Sequence, residues 1–462
     1  MVFSSPVFIF IFLPIVYLAN LIIPKRFSNG FLLFFSLIFY AWGEPLYVFL
    51  MIFSAFVNYV LTLWIAKETN WRKIVLIGSI IFNLSIIGVF KYADFLILSV
   101  NSLFSTTLPL LNLPLPIGIS FFTFQTMSYV FDVYKKETTV QRNYFSLLFY
   151  ITFFPQLIAG PIVQYHDIAS QIESRTVTLD KTSEGLRRFV IGMSKKVLLA
   201  NAMAIIVDRL YTLPNSQISI TVAWIAAIAY LFQIYFDFSG YSDMAIGMGK
   251  MFGFHFKENF NYPYIATSMQ DFWRRWHISL SSWFRLYLYI PLGGSRKGKS
   301  RAMFNRIIVF FLTGLWHGAS WTFVIWGLYH GIFLLMEQTF LKVERWPNFV
   351  RRAYMLLVVL IGFVIFRAEN FTQALIFIKA LVTFSLPGAM ALKELMILIT
   401  PLTVGLFVIS AIASTPIMKI VKQKTQSTVT STLSYGFTFA LWIACLLSLA
   451  ANTYNPFIYF RF

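Results

Sequence analysis

Cysteine is nearly absent from this chain: Cys445 is the single one in 462 residues. One thiol excludes a disulfide framework and a cysteine-based zinc site, and Cys445, inside an apolar run, reads as a small buried hydrophobe. Acidic residues are scarce too, 18 against 37 lysines and arginines, and charge of either sign makes up 12% of the chain; soluble domains carry about 25%. Glycine-rich phosphate loops, HExxH helices and GxSxG elbows are missing, as are nucleic-acid-binding motifs, internal repeats and low-complexity tracts. These gaps exclude a soluble enzyme, a disordered chain and a secreted disulfide scaffold.

What is present is apolar. Hydrophobic residues make up 58%, phenylalanine alone occurs 52 times, and mean hydropathy is +0.72. Such a chain has lipid for its main solvent. The formal charge of +19 sits in short clusters between apolar runs: Lys25-Arg26, Arg72-Lys73, Lys135-Lys136, Lys195-Lys196, Arg296 to Arg306, Arg351-Arg352 and Lys419 to Lys424. Cytoplasmic loops obeying the positive-inside rule show this pattern, and it points to membrane lipid rather than nucleic acid. A basic inner face also draws in an anionic, nucleotide-bearing substrate.

A span needs about 20 apolar residues. Thirteen apolar runs qualify in whole or part: 6–23, 31–42, 47–66, 74–90, 122–131, 144–158, 189–210, 218–235, 307–315, 321–336, 354–366, 394–413 and 435–452. Nothing ahead of the first resembles a signal peptide, so Pro6–Ile23 is expected as a span with the N-terminus outside. The short and Gly- or Pro-broken runs gather between Pro114 and Gly331, where irregular backbone is tolerated only inside protein or along a wet cavity. The functional core is therefore expected at about 114–331, between scaffold helices at 1–113 and 332–462. The polar stretch 164–188 predicts a surface loop with a helix starting near Asp180.

Ionisable residues at membrane depth are costly, and each is a functional hypothesis. His166 and His255 read as loop or surface residues. His317 lies in a dry run ending at Gly314, Gly318 and Ala319, small residues that let backbone or ligand approach. Burial keeps such an imidazole neutral and able to act as a general base. His330, thirteen residues on, would face the other way on a continuous helix, so the two do not read as a metal pair. Residues 268–285 predict one amphipathic helix, with Ser268 and Asp271 as a capping box and Trp273, Trp276, Leu280, Trp283 and Tyr287 as its apolar stripe. Arg274, Arg275 and His277 line its flanks and suit recognition of phosphate or carboxylate. Asp237 and Asp243 flank a Ser-Gly-Tyr-Ser turn and are expected to pair with those arginines.

Several segments together carry a family resemblance: Pro116–Gln125 (PIGISFFTFQ), Phe154–Pro161 (FPQLIAGP), Tyr235–Met244 (YFDFSGYSDM), Asp271–His277 (DFWRRWH), Tyr289–Gly294 (YIPLGG) and Leu315–Gly318 (LWHG), with the two chain ends. The sequence resembles the membrane-bound O-acyltransferases, and within them the bacterial branch of alginate and peptidoglycan O-acetyltransferases. The resemblance implies an all-α polytopic membrane protein. It would be a ring of roughly a dozen transmembrane and re-entrant helices around a central tunnel, with 1–462 a single membrane-embedded domain of the bacterial cytoplasmic (inner) membrane. It implies an O-acetyltransferase that moves acetyl from cytosolic acetyl-CoA across the membrane to an extracytoplasmic polysaccharide. The expected partner is an SGNH-type transferase with a serine nucleophile, and no metal is expected. His317 is then the essential histidine and His277 a second catalytic candidate. Asp271, Arg274, Arg275 and Trp316 are candidates for holding the donor. Tyr459, in the aromatic tail Phe457–Phe462, is a candidate acyl carrier; an interfacial aromatic anchor would look the same. A transporter or flippase of an acyl donor or glycan would also explain broken helices and intramembrane charge, without needing His317 as a base.

Overall fold

The structure, a computed structural model, describes residues 1–67, 69–158, 160–417, 419–420, 428–451 and 454–456. Every regular element among them is helical. Among the described residues six helices are long and apolar enough to cross a bilayer, and Ala389–Leu398 with Pro401–Ala413 form a further pair bent by 71°. The protein is a multi-pass membrane protein. The remaining apolar runs form helices that are shorter, broken or less apolar.

The chain divides into two compact units. Unit 1 comprises Met1–Phe189 and Tyr241–Glu258. Its helices include α1 (Tyr47–Ala66), α2 (Arg72–Phe104) and α3 (Ile119–Lys135). Buried amides join α1 to α2: Asn58 and Asn83 exchange side-chain hydrogen bonds of 3.1 and 2.7 Å, and Ser79 Oγ donates to Asn58 Oδ1 at 2.9 Å. In lipid such bonds act as glue, because apolar surface gains nothing by leaving one hydrocarbon for another. α3 contains the short run 122–131 and is buried from Ile119 to Val130. The run 144–158 breaks at Phe153, after which Phe154 N donates to Ser36 Oγ at 3.1 Å.

Two long helices, α4 (Leu179–Tyr211) and α5 (Ile220–Met251), begin in one unit and end in the other. α4 starts where the acidic Asp180 predicted a helix, but its cap is Thr178, whose Oγ1 accepts from Lys181 N at 3.2 Å. Two expectations fail here. Lys195-Lys196 is not in a loop: it opens a π turn inside α4, Lys195–Ala200, where Lys196 is buried. Asp237 to Asp243 is not a turn either, but lies inside α5. Its glycine serves close packing: a Cβ on Gly240 would lie 2.6 Å from the Gly192 carbonyl of α4. Nor do the carboxylates meet Arg274 or Arg275. Asp237 pairs with Lys196 at 2.8 Å and Asp243 with Arg188 at 2.8 Å.

Unit 2 comprises Val190–Gly240 and Asn259–Phe462. The expected single helix over 268–285 is two, α6 (Met269–Arg275) and α7 (Ile278–Phe284), because His277 takes a left-handed backbone with φ of 44°. Left-handed geometry in a non-glycine residue is costly and persists only where its surroundings impose it. Asn259 does so, accepting from Ile278 N through its carbonyl (3.0 Å) and from Ser279 N through its side chain (3.1 Å). Beyond lie α8 (Lys299–His317), α9 (Trp321–Thr339), α10 (Asn348–Arg367) and α11 (Thr428–Ala451). α8 and α9 pack as an antiparallel pair, brought together by glycine. A Cβ on Gly314 would sit 2.3 Å from the Phe323 carbonyl, and one on Gly327 2.2 Å from the Phe310 carbonyl. Small residues at a helix crossing permit this approach.

Candidate active site

Unit 2 gathers three of the five histidines. His317 is the last residue of α8 and is buried. Its ring stands edge-on to Trp316, Trp326 and Phe366, with centroids 5.0, 5.0 and 5.3 Å away. Trp316 in turn faces His277 at 6.0 Å, and Trp326 faces His330 at 5.1 Å. The result is one chain of rings, His277–Trp316–His317–Trp326–His330. His317 and His330 lie on separate antiparallel helices, so continuous-helix arithmetic does not apply. The Trp326 ring touches both imidazoles, and among the described residues no group of three His, Cys, Asp or Glu side chains is placed to hold a metal ion.

His277 has the best-defined chemistry. Asn259 Oδ1 already accepts from Ser279 N and Oγ, which fixes that atom as the oxygen, so His277 Nδ1, 3.3 Å away, carries the proton and donates. Its Nε2 then bears a lone pair, and that atom is buried with no partner among the described residues. Burial pushes the imidazole down to about 3. It is a neutral base at every physiological pH, held in one tautomer.

The basic residues of α6 are divided. Ser268 caps the helix through Asp271 N at 3.0 Å. The Asp271 carboxylate does not complete a capping box but pairs with Arg275 Nε at 2.9 Å, and Arg275 also donates to the Asn261 carbonyl. Arg274 is exposed. Trp316 is buried between the two histidines. His166 and His255 are exposed, as their settings predict. Tyr459 lies outside the described residues.

Sequence reasoning missed Asn259, Trp326, Phe366 and the glycine Gly327. The first sets a tautomer through tertiary contact and left no motif. Gly314 and Gly327 carried a signal, two glycines in apolar runs on either side of a break, though only the fold shows that backbone rather than ligand fills their space.

The family model of the membrane-bound O-acyltransferases matches residues 118–378, a stretch that contains this entire chain of rings. The chain belongs to the membrane-bound O-acyltransferase family. It is 40% identical over the whole of both chains to the probable alginate O-acetylase AlgI of Pseudomonas putida. It is 37% identical to the peptidoglycan O-acetyltransferase of Helicobacter pylori, over 83% of this chain and 80% of that one. The teichoic acid D-alanyltransferase of Bacillus subtilis is 27% identical over 66% of this chain and 84% of its own. This acyltransferase therefore takes an acyl group from a donor, and the transport reading falls away.

Proposed function

We propose that this acyltransferase moves acetyl from cytosolic acetyl-CoA across the bacterial inner membrane for O-acetylation of an extracytoplasmic polysaccharide, alginate-like or peptidoglycan. The observation that carries the reading is the buried ring chain around His317, within a sequence similar end to end to an alginate O-acetylase. In this mechanism His317 takes the proton of the attacking hydroxyl while the acyl carbon–oxygen bond forms and the carbon–sulfur bond of the thioester breaks. The same proton then passes to the departing sulfur, leaving free thiol. The acceptor of this first step is Tyr459. Its acetyl ester is next attacked by the serine hydroxyl of an SGNH-type partner on the outer side, which returns Tyr459 to a phenol and passes acetyl to the polymer. His277 Nε2 is the second base, and Arg274, with the Asp271–Arg275 pair and Trp316, receives the anionic donor.

Two variants test this. His317→Asn should retain donor binding and lose transfer by about 10²- to 10⁴-fold, the usual worth of a positioned acid–base group. Full transfer in that variant rejects the assignment. Mass spectrometry of the C-terminal peptide after incubation with acetyl-CoA should find acetyl on Tyr459, and Tyr459→Phe with full activity removes the relay.

A further inference from the structure

The sequence pattern assigns Lys196 to a basic loop, yet its side chain is 3% exposed, and that of its partner Asp237 is 2% exposed. A buried charge pair in a membrane helix calls for a purpose, since well-packed apolar residues would stabilise the fold as well or better. An ammonium group has three N–H donors. Lys196 forms an ion pair with Asp237 Oδ1 at 2.8 Å and donates to Asn201 Oδ1 at 2.9 Å and to the backbone carbonyl of Pro456 in the C-terminal segment. The π turn Lys195–Ala200 explains how residues five apart share a face: its hydrogen bonds run from i to i+5. Asn201 repeats the contact, donating through Nδ2 to Asn455 Oδ1 at 3.1 Å. Two turns further along α4, Asp208 accepts from the Tyr454 hydroxyl and is itself held by Arg367 at 2.8 Å. One face of α4 thus receives three consecutive residues, Tyr454, Asn455 and Pro456.

We propose that Lys196 is a positioning residue. With Asp237 and Asn201 it forms a seat that holds the C-terminal segment and so fixes the point after which the aromatic tail begins. Its consequence for acyl transfer, though not the seat itself, rests on Tyr459 being the acyl carrier. If the tail leaves, one N–H of a buried ammonium loses its acceptor, and this keeps the tail in place. Pro456 suits the position, because a proline offers a carbonyl but no competing N–H.

The test uses the full chain in lipid vesicles. Lys196→Met alone leaves a buried Asp237 carboxylate without this ion pair, so the principal variant is Lys196→Met with Asp237→Asn, in which neither charge remains; its melting temperature is checked against the parent. Chymotrypsin should cut after Tyr454 on the order of tenfold faster in this double variant, the scale of a lost hydrogen bond to a charged group. Lys196→Arg should restore protection. Acetyl loading of Tyr459 should fall in parallel, with the KM for acetyl-CoA unchanged. Equal cleavage rates in parent and folded double variant overturn the seat. An unacetylated Tyr459 in the parent, with the tail still protected, overturns the relay and leaves the seat standing.

Discussion

The α1–α2 contact of unit 1 and the histidine chain of unit 2 treat buried polarity in opposite ways. Between α1 and α2, Asn58, Ser79 and Asn83 satisfy one another. Around the histidines, His277 Nε2, both ring nitrogens of His330, and the indole nitrogens of Trp273 and Trp326 are buried without a partner among the described residues. Buried polar atoms in proteins are as a rule paired, and each orphan costs stability unless something outside the protein meets it. The first set is a fastening, complete in itself. The second is left incomplete by the protein, and in the proposed function its bare atoms receive a hydroxyl, water or substrate, a cost of the kind enzymes bear at working sites.

Three changes break or sharpen this contrast. The largest effect should come from Gly327→Ala. Its new methyl group would meet the Phe310 carbonyl at 2.2 Å, forcing α8 from α9 at about 1–3 kcal/mol and displacing His317 with it. Thermal melting and transfer should fall together, whereas Gly78→Ala in α2, with nothing within 4 Å of the new methyl group, should be neutral or gain up to about 1 kcal/mol. Equal losses in both would show that the α8–α9 approach does not hold the site.

Next is acid. The folded His277 is depressed to about 3 from its ordinary 6.5. Its neutral form costs nothing above that ordinary value, and stability is lost as pH falls from there toward the folded value. At pH 5 the loss is about 2 kcal/mol, from about 1.4 kcal/mol per unit. His277→Gln should remove that loss, seen as a flatter dependence of the melting temperature on pH between 7.5 and 5. An unchanged slope would mean the imidazole is hydrated and charged in the fold.

The smallest effect belongs to the fastening. Asn83→Leu takes two hydrogen bonds from Asn58, leaving it Ser79 Oγ and the Ser54 carbonyl, and should cost about 1 kcal/mol, while Asn58→Leu with Asn83→Leu should return part of that loss. A double variant no better than the single would show that the pair does more than satisfy itself.

Much of this was legible beforehand. The apolar runs located the helices, because a backbone in lipid has few other ways to satisfy itself. The Gly- and Pro-broken stretch that begins at Pro114 foretold irregular backbone, which the structure has at 113–118, and His317 stood out as an imidazole in a dry stretch. Errors gathered where tertiary contact overrides local pattern. A helix was expected straight through His277, but Asn259, from outside that segment, turns the backbone left-handed. A lysine pair read as a loop because charge normally marks water, yet Lys196 is buried against Asp237. Ser-Gly-Tyr-Ser read as a turn, yet the glycine is there so that α5 can approach α4.

Composition and hydropathy alone determined that this is a helical membrane protein, since the cost of putting polar groups into hydrocarbon is paid residue by residue and shows in the sequence; that it is an acyltransferase came through the resemblance its ordered motifs carry. Only tertiary structure decided which nitrogen of His277 is bare, which carboxylate meets which cation, and where the C-terminal segment is held. Those outcomes depend on partners distant in sequence, and a hydrogen bond forms or fails over a few tenths of an ångström that spacing along a chain does not encode.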